Sequence, residues 1–352
     1  MNNNTTRLTC STYEYAYTIA YSRALMCGYI AIFILGCFFN ITAVLVVIVM
    51  KTIRRSIHLY TTNLAISDSV FLVVCSVFDF VIIFNYDCWI FSESLAKFWM
   101  ACIYFFKLSA TLTLCALSID RYRALLHPLA VHVESHKKAK RAVIAVWIFS
   151  FILSVPRFLT SSLKISDTNI RHIQIIYPAK AFELVYVLLN VFLQIIAPLC
   201  LVFVLNMLML YSMLKRKKLL RSMTREYNSI SNTRVVRMIS KLIVVYLICT
   251  CFPQILIMLK SIGYLRASYE VSVLISTIPR FLFTFQAMVN PLIYGTITDG
   301  YRRKVLLALR IILRRIQKRL HIQGVDKNGK NHYGQSSRRE MSSSANTITE
   351  DL

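Results

Sequence analysis

The sequence predicts an all-α membrane protein, a seven-transmembrane helix bundle followed by a short amphipathic cytosolic helix. Three observations predict it. Hydrophobic residues make up 57% of the 352-residue chain and the mean hydropathy is +0.57, too apolar for a soluble globule of this length. Seven apolar stretches are separated by polar links, each stretch reaching the roughly 20 residues that a bilayer requires. With 8 glycines and 7 prolines, the chain is too poor in turn formers for a barrel and favours long helices.

The spans run near 24–50, 57–85, 95–125, 141–160, 182–214, 235–262 and 270–297. Their links alternate in charge. Lys51, Arg54 and Arg55 follow the first span. Lys137, Lys138, Lys140 and Arg141 lie in the third link. Lys215, Arg216, Lys217, Lys218, Arg221 and Arg225 lie in the fifth. The even-numbered links mix signs: Asp87, Glu93 and Lys97, then Lys164, Asp167, Arg171 and Lys180, then Arg266 and Glu270. The positive-inside bias places the N-terminus outside and the C-terminus in the cytosol. The net charge of +25 is thereby explained by membrane orientation, with no nucleic-acid partner implied.

Residues 1–23 form a polar extracellular tail without a cleavable leader. Asn3 and Asn4 begin two overlapping glycosylation sequons there. Residues 24–297 form the seven-span domain. Residues 298–320 are expected as the surface helix, with Leu306, Leu309, Ile312, Leu313 and Ile316 on one face and arginines around it, lying on the inner leaflet. Residues 321–352 are polar and serine-rich, and are expected to be a disordered cytosolic tail. Ser336, Ser337, Ser342, Ser343, Ser344, Thr347 and Thr349 are its phosphorylation candidates. No cysteine follows the last span, so no palmitoyl anchor is expected there.

Chemistry-bearing residues inside the spans are few. The ten cysteines show no metal-ligand spacing, and no nucleophile–base pair is visible, so neither an enzyme nor a metal centre is expected. Asp120-Arg121-Tyr122 closes the third span. Asn290-Pro291-Leu292-Ile293-Tyr294 lies within the seventh. Asp68 is a carboxylate at mid-span that must face the bundle interior, where Asn40 and Asn290 could hydrogen-bond it. Charged and helix-breaking residues at membrane depth are costly and mark function.

A rise of 1.5 Å per residue sets further charges in depth. Lys107 lies roughly 21 Å outward of Arg121, Asp79 roughly 16 Å outward of Asp68, and Arg280 roughly 15 Å outward of Asn290. At that depth they must face a cavity or each other, with Tyr104, Glu183, Gln254 and Lys260 able to join them. Two readings stand side by side. One is a ligand pocket carrying both signs of charge. The other is an Asp79–Lys107 ion pair that only orders the bundle.

In these motifs the chain resembles the rhodopsin-like (class A) G-protein-coupled receptors. The resemblance spans nearly all of residues 24–304. It rests on Asn40, Asn63-Leu-Ala-Ile-Ser-Asp68, Asp120-Arg-Tyr122 with Pro128, Trp147, Pro198, Pro253, and Asn290-Pro-Leu-Ile-Tyr294 with Tyr301 beyond. It implies that Asp120, Arg121, Tyr122, Asn290, Pro291 and Tyr294 serve activation and coupling to a heterotrimeric G protein. Arg121 would be held by Asp120 in the silent state, and Pro291 would give a bend that switches. It also implies an allosteric sodium ion at Asp68 with Asn40 and Asn290, although Ala110 and Ala287 thin the polar cage and a plain hydrogen-bond network competes. Arrestin and receptor kinases are implied as partners beside the lipid bilayer.

Four departures from the family pattern stand out. Ala96 occupies the place of the usual cysteine seven residues after Trp89, and the second outer loop (about 161–180) has no cysteine. The usual loop disulfide is therefore absent, and Cys10 and Cys88 are the thiols left for an alternative bridge. Cys251 replaces the tryptophan two residues before Pro253. Asn206 replaces the tyrosine eight residues after Pro198. Thr233 and Arg234 stand at the base of span six where an acidic partner for Arg121 is common, so silencing is expected to be weak.

Val204-Leu-Asn206 and Val155-Pro-Arg-Phe158 resemble invertebrate FMRFamide- and myosuppressin-type peptide receptors. The expected function is a receptor for a short extracellular neuropeptide, with Asp79 as counter-charge to the arginine of such a peptide and Glu183 in reserve. A lysolipid or fatty-acid receptor on the same fold would use Lys107 and Arg280 instead. A seven-helix transporter or channel is the remote alternative, since neither inverted repeats nor Gly-rich helix breaks are present.

Overall fold

The computed structural model describes residues 16–49, 56–84, 89–126, 128–165, 171–175, 179–220, 229–261 and 269–295, with helical residues between 303 and 317. All structural statements concern these residues. The helices are α1 (Ala16–Val49), α2 (Ser56–Phe84), α3 (Glu93–Leu126), α4 (Pro128–Thr160), α5 (Lys180–Val191), α6 (Ala197–Leu220), α7 (Ser229–Tyr246), α8 (Phe252–Ser261) and α9 (Tyr269–Gly295). A π turn at Phe192–Ile196 joins α5 to α6, and another at Leu247–Cys251 joins α7 to α8. The fifth and sixth spans are thus continuous helices with one widened turn each. Six spans are long and apolar enough to cross a membrane by length and composition. Helix α9, with Glu270 and Arg280 as its charged residues, is the seventh.

The two π turns have a local cause. Each ends just before a proline, Pro198 or Pro253. A proline ring has no N–H and crowds the carbonyl four residues earlier, so the helix widens upstream. In lipid the freed carbonyl must find another donor. For Pro198 that carbonyl is Gln194 O, and the Tyr246 hydroxyl of the neighbouring span donates to it. For Pro291 it is Ala287 O, and the Asn40 amide of α1 donates to it at 3.0 Å. Two of the inter-helix bonds thus begin at carbonyls that proline leaves without a helical donor.

Helix α3 is the central post, packed against α2, α4, α6 and α7, while α1 lies against α2 and α9. A Cβ at Gly36 would meet Leu72 Cδ1 at 2.6 Å, so a larger residue there would force the buried Leu72 side chain to move between α1 and α2. The largest apolar cluster joins Leu64, Leu117, Met209, Met238, Ile239, Leu242 and Tyr246 near the Arg121 end of α3. Exposed apolar residues such as Ile144, Ile148, Phe151 and Leu159 on α4, with Leu184, Val185 and Leu188 on α5, form the lipid-facing surface of a multi-pass membrane protein.

One element departs from the all-helical expectation. The stretch read as an outer loop contains an antiparallel hairpin, β1 (Ser161–Ile165) with β2 (Arg171–Ile175), Leu163 opposite Ile173. Both residues pack against the cluster of Phe78, Ile82, Trp89 and Ala96, and Ser162 donates to Glu93 at 2.9 Å. Strands of five residues are too short to announce themselves beside long apolar helices. The segment from 303 onward is a separate unit, with helix at 303, 305–311, 313, 314 and 317 inside the expected amphipathic stretch. Asn3, Asn4, Cys10, Cys88 and the tail beyond 321 lie outside the described residues.

Candidate functional site

At one end of the bundle the last turns of α3 present Asp120 and Arg121 as an ion pair. Ser56, the first residue of α2 and 6% exposed, closes a triangle with them. Its hydroxyl donates to Asp120 Oδ2 at 2.9 Å and accepts from Arg121 Nη2 at 2.6 Å. A guanidinium and a carboxylate at 16% and 13% exposure are thus held to each other and to a second helix. The expected hold of Asp120 on Arg121 has a geometric counterpart. The Ser56 link was not expected, because a serine following two arginines gives no sign of which helix it will face. The side chains of Thr233, Arg234 and Tyr294 lie outside the described residues. Tyr122 is partly buried against the central cluster.

Midway along the bundle, polar side chains join the spans in pairs. Asn63 donates to Thr113 at 2.8 Å and accepts from Trp147 Nε1 at 2.8 Å, tying α2, α3 and α4. Asn290 donates to Asp68 Oδ2 at 2.8 Å. Ser67 and Ser109 bond each other at 3.1 Å. Asn206, at the position where the family carries tyrosine, donates to Ser240 at 2.9 Å. Thr250 donates to Gln286, linking the second π turn to α9.

The expected Asn40 contact with Asp68 is corrected. The Asn40 amide goes to Gly36 O at 2.9 Å and to Ala287 O, because Pro291 leaves that carbonyl without its helical donor. The oxygens offered to a sodium ion are few. Ser67 and Ser109 satisfy each other, Ala110 and Ala287 bring no side-chain oxygen, and no cluster of three His, Cys, Asp or Glu side chains occurs among the described residues. This donor set fits the implied ion poorly.

Toward the Trp89 end lie the other charges. Asp79, 1% exposed, accepts the ion pair of Arg280 Nε at 2.7 Å and a weak Cys75 thiol bond at 3.6 Å. Of the two readings, the ion pair that orders the bundle exists, but its cation is Arg280 rather than Lys107, and the reading of Asp79 as an open counter-charge is corrected, because the carboxylate is already paired. Tyr29 closes the far side, donating to Thr277 O at 3.4 Å, with its ring edge-on to Phe281 at 5.5 Å. Lys107 turns the other way. Its ammonium donates to Gln254 Oε1 at 3.2 Å and sits 3.1 Å from the Phe283 ring centroid, a cation–π contact. Tyr104 lies one helical turn from Lys107 on α3 and is half-buried. Glu183 and Lys260 lie on α5 and α8, their side chains outside the described residues.

Seven spans, a braced Asp-Arg pair at one end and buried charges toward the other define a seven-helix membrane receptor. Residues 39–294 match the seven-transmembrane receptor family of the rhodopsin type, and the chain belongs to that family. Among its relatives, the allatostatin-A receptor of Bombyx mori is 25% identical, covering 78% of this chain and 76% of its own length. The growth hormone secretagogue receptor type 1 of Mus musculus is also 25% identical, covering 80% and 79%. G-protein coupled receptor 183 of Homo sapiens is 26% identical, covering 80% of both chains.

Proposed function

We propose that this receptor stands in the plasma membrane with its N-terminus outside, takes a short peptide at the Lys107 end, and signals through heterotrimeric G proteins at the Arg121 end. The observation that carries this reading is the Ser56–Asp120–Arg121 triangle. A fixed cation at a helix end, held by partners on two helices, is a contact that can be released to an incoming protein. The peptide follows from relatives named for allatostatin-A and for growth hormone secretagogue, and from the resemblance to FMRFamide-type receptors. Asn3 and Asn4 are the glycan sites of the outer tail, and a Cys10–Cys88 bridge would tie that tail to the bundle. The serines and threonines of the cytosolic tail are sites for receptor kinases, with arrestin as the partner they recruit.

The transmission route runs through the proline-associated bonds. Ligand contacts on α3, α8 and α9 act on Gln254, next to Pro253 and the second π turn. That turn is tied to α9 through Thr250 and Gln286, while Tyr246 just before it is tied to the first π turn. A shift of the sixth span therefore moves α7, whose residues Met238, Ile239 and Leu242 pack with Leu117 and Leu125 of α3 near Arg121. Widened turns are weak points where such a shift costs least.

The test is a screen of cells expressing the full chain at measured surface density, reading calcium and cyclic AMP. Amidated and free-acid peptides are run beside lysolipids. A peptide response lost in Arg121→Ala at equal surface density supports the reading. A lysolipid response with every peptide silent replaces the peptide by a lipid.

A further inference from the structure

Among the described residues of the half of the bundle that holds Asp79, charge is unevenly matched. Asp79 is satisfied by Arg280 at 2.7 Å. Lys107 has no carboxylate within ion-pair reach among the described residues. Its ammonium carries three donors, of which one goes to Gln254 Oε1 and one side is covered by the Phe283 ring. Both partners are neutral. Arg157, near the Trp89 end of α4, adds a further positive charge to the field at Lys107. An ammonium inside a membrane bundle normally faces a counter-charge or a water-filled cavity, and electrostatic forces are strong where water is scarce.

We infer that Lys107 is the seat for the C-terminal carboxylate of the activating peptide, with Gln254 donating its amide to the same group. The inference rests on the receptor reading above and deepens it. It reverses the expected polarity of the pocket, because Asp79 is already paired and a cationic group would be repelled. It also says how the ligand acts. A carboxylate drawn to Lys107 competes with Gln254 Oε1 and the Phe283 face, and so loosens α3 from α8 and α9 beside the second π turn. Selectivity follows from the same contact, since amidating the C-terminus of a peptide without acidic side chains removes the charge.

Two measurements test this. The first needs no ligand: thermal melting of the purified full-length receptor in detergent, wild type against Lys107→Met. An ammonium waiting for a ligand destabilises the empty bundle, so Lys107→Met raises the melting temperature by a few degrees. A fall would make Lys107 a structural prop and overturn the proposal. The second compares two pools of random hexapeptides that lack Asp and Glu, one with free C-termini and one amidated, beside oleate and lysophosphatidate. Each is applied to wild type, Lys107→Arg and Lys107→Gln at matched surface density. The free-acid pool should activate wild type and Lys107→Arg, and lose at least tenfold in potency on Lys107→Gln. An amidated pool equally potent on wild type and Lys107→Gln overturns the carboxylate seat and leaves the peptide receptor intact. Oleate or lysophosphatidate acting through Lys107 with both pools silent keeps the anion seat and removes the peptide. Silence of all four probes on well-expressed wild type counts against the seat.

Discussion

Replacing Ser56 with alanine tests the silent-state lock most directly. The Ser56 hydroxyl makes two hydrogen bonds to ionised partners, 2.9 Å to Asp120 and 2.6 Å to Arg121. Bonds to charged groups contribute about 1.5–3 kcal/mol each. Asp120 and Arg121 keep each other, and at 13% and 16% exposure water recovers part of what the serine supplied. A net loss of about 1.5 kcal/mol from the silent state is the reasoned figure, about tenfold in its ratio to the active state. If that ratio starts near 99:1, the active fraction rises from about 1% to about 10%. The assay is agonist-free G-protein turnover in membranes, normalised to surface receptor. Ser56→Thr keeps the hydroxyl and should stay near wild type. Asp120→Asn should raise turnover as well, and the double variant should add less than the sum because the residues share one network. Unchanged basal turnover in well-expressed Ser56→Ala would refute the reasoning.

Other outcomes follow from the same geometry. Arg121→Ala should abolish G-protein activation while surface density persists; a full response from a well-expressed variant contradicts the coupling role. Tyr246→Phe leaves Gln194 O without its donor, and Pro198 cannot supply one. The receptor should lose about 1–3 kcal/mol, seen as a lower melting temperature in detergent, and an unchanged midpoint would refute the bond. Leu163→Ala removes half of the hairpin contact on the cluster of Trp89 and Ala96. It should lower the melting temperature by an amount corresponding to about 1–2 kcal/mol, and an unchanged midpoint would show that the hairpin does not hold this end.

What the sequence made legible follows from the range of the signals. Spans were readable because about 20 apolar residues in a row have no other use. The ends of α2, α3 and α9 lie within a few residues of the expected bounds. Asp68 facing Asn290 was readable because a buried carboxylate must find a donor. Partner choice was not. Asp79 stands within helical reach of both Lys107 and Arg280, and depth arithmetic cannot tell which rotamer closes. Asn40 was assigned to Asp68 because both are polar and deep, whereas its amide answers a carbonyl that Pro291 leaves without a helical donor. The same rule, applied to Pro198, would have pointed to Gln194 O as needing a donor. It would not have named Tyr246, whose phase on α7 depends on the packing of two spans. Ser56 and the hairpin were missed for related reasons, the one a lone hydroxyl at a helix start, the other two five-residue strands.

The hairpin also bears on how the chain manages without the usual loop disulfide. In the family pattern a cysteine at the place of Ala96 ties span three to the second loop. Here Ala96 is fully buried, and Leu163 and Ile173 pack against the cluster it forms with Trp89. Trp89 is itself fixed by its indole N–H to Ser92 O at 3.1 Å and by edge contacts to Phe91 and Trp99. A disulfide typically adds about 2–4 kcal/mol, and burying an aliphatic side chain about 1.5–3 kcal/mol. Two half-covered aliphatic side chains therefore supply a hold of the same order without a covalent link. The difference lies in how the contact yields. A covalent bridge stretches only with the backbone around it, whereas an apolar clasp opens locally at the cost of re-exposing its surface. The clasp thus holds the hairpin through buried apolar surface rather than a covalent link to span three, and its strength follows the area it covers.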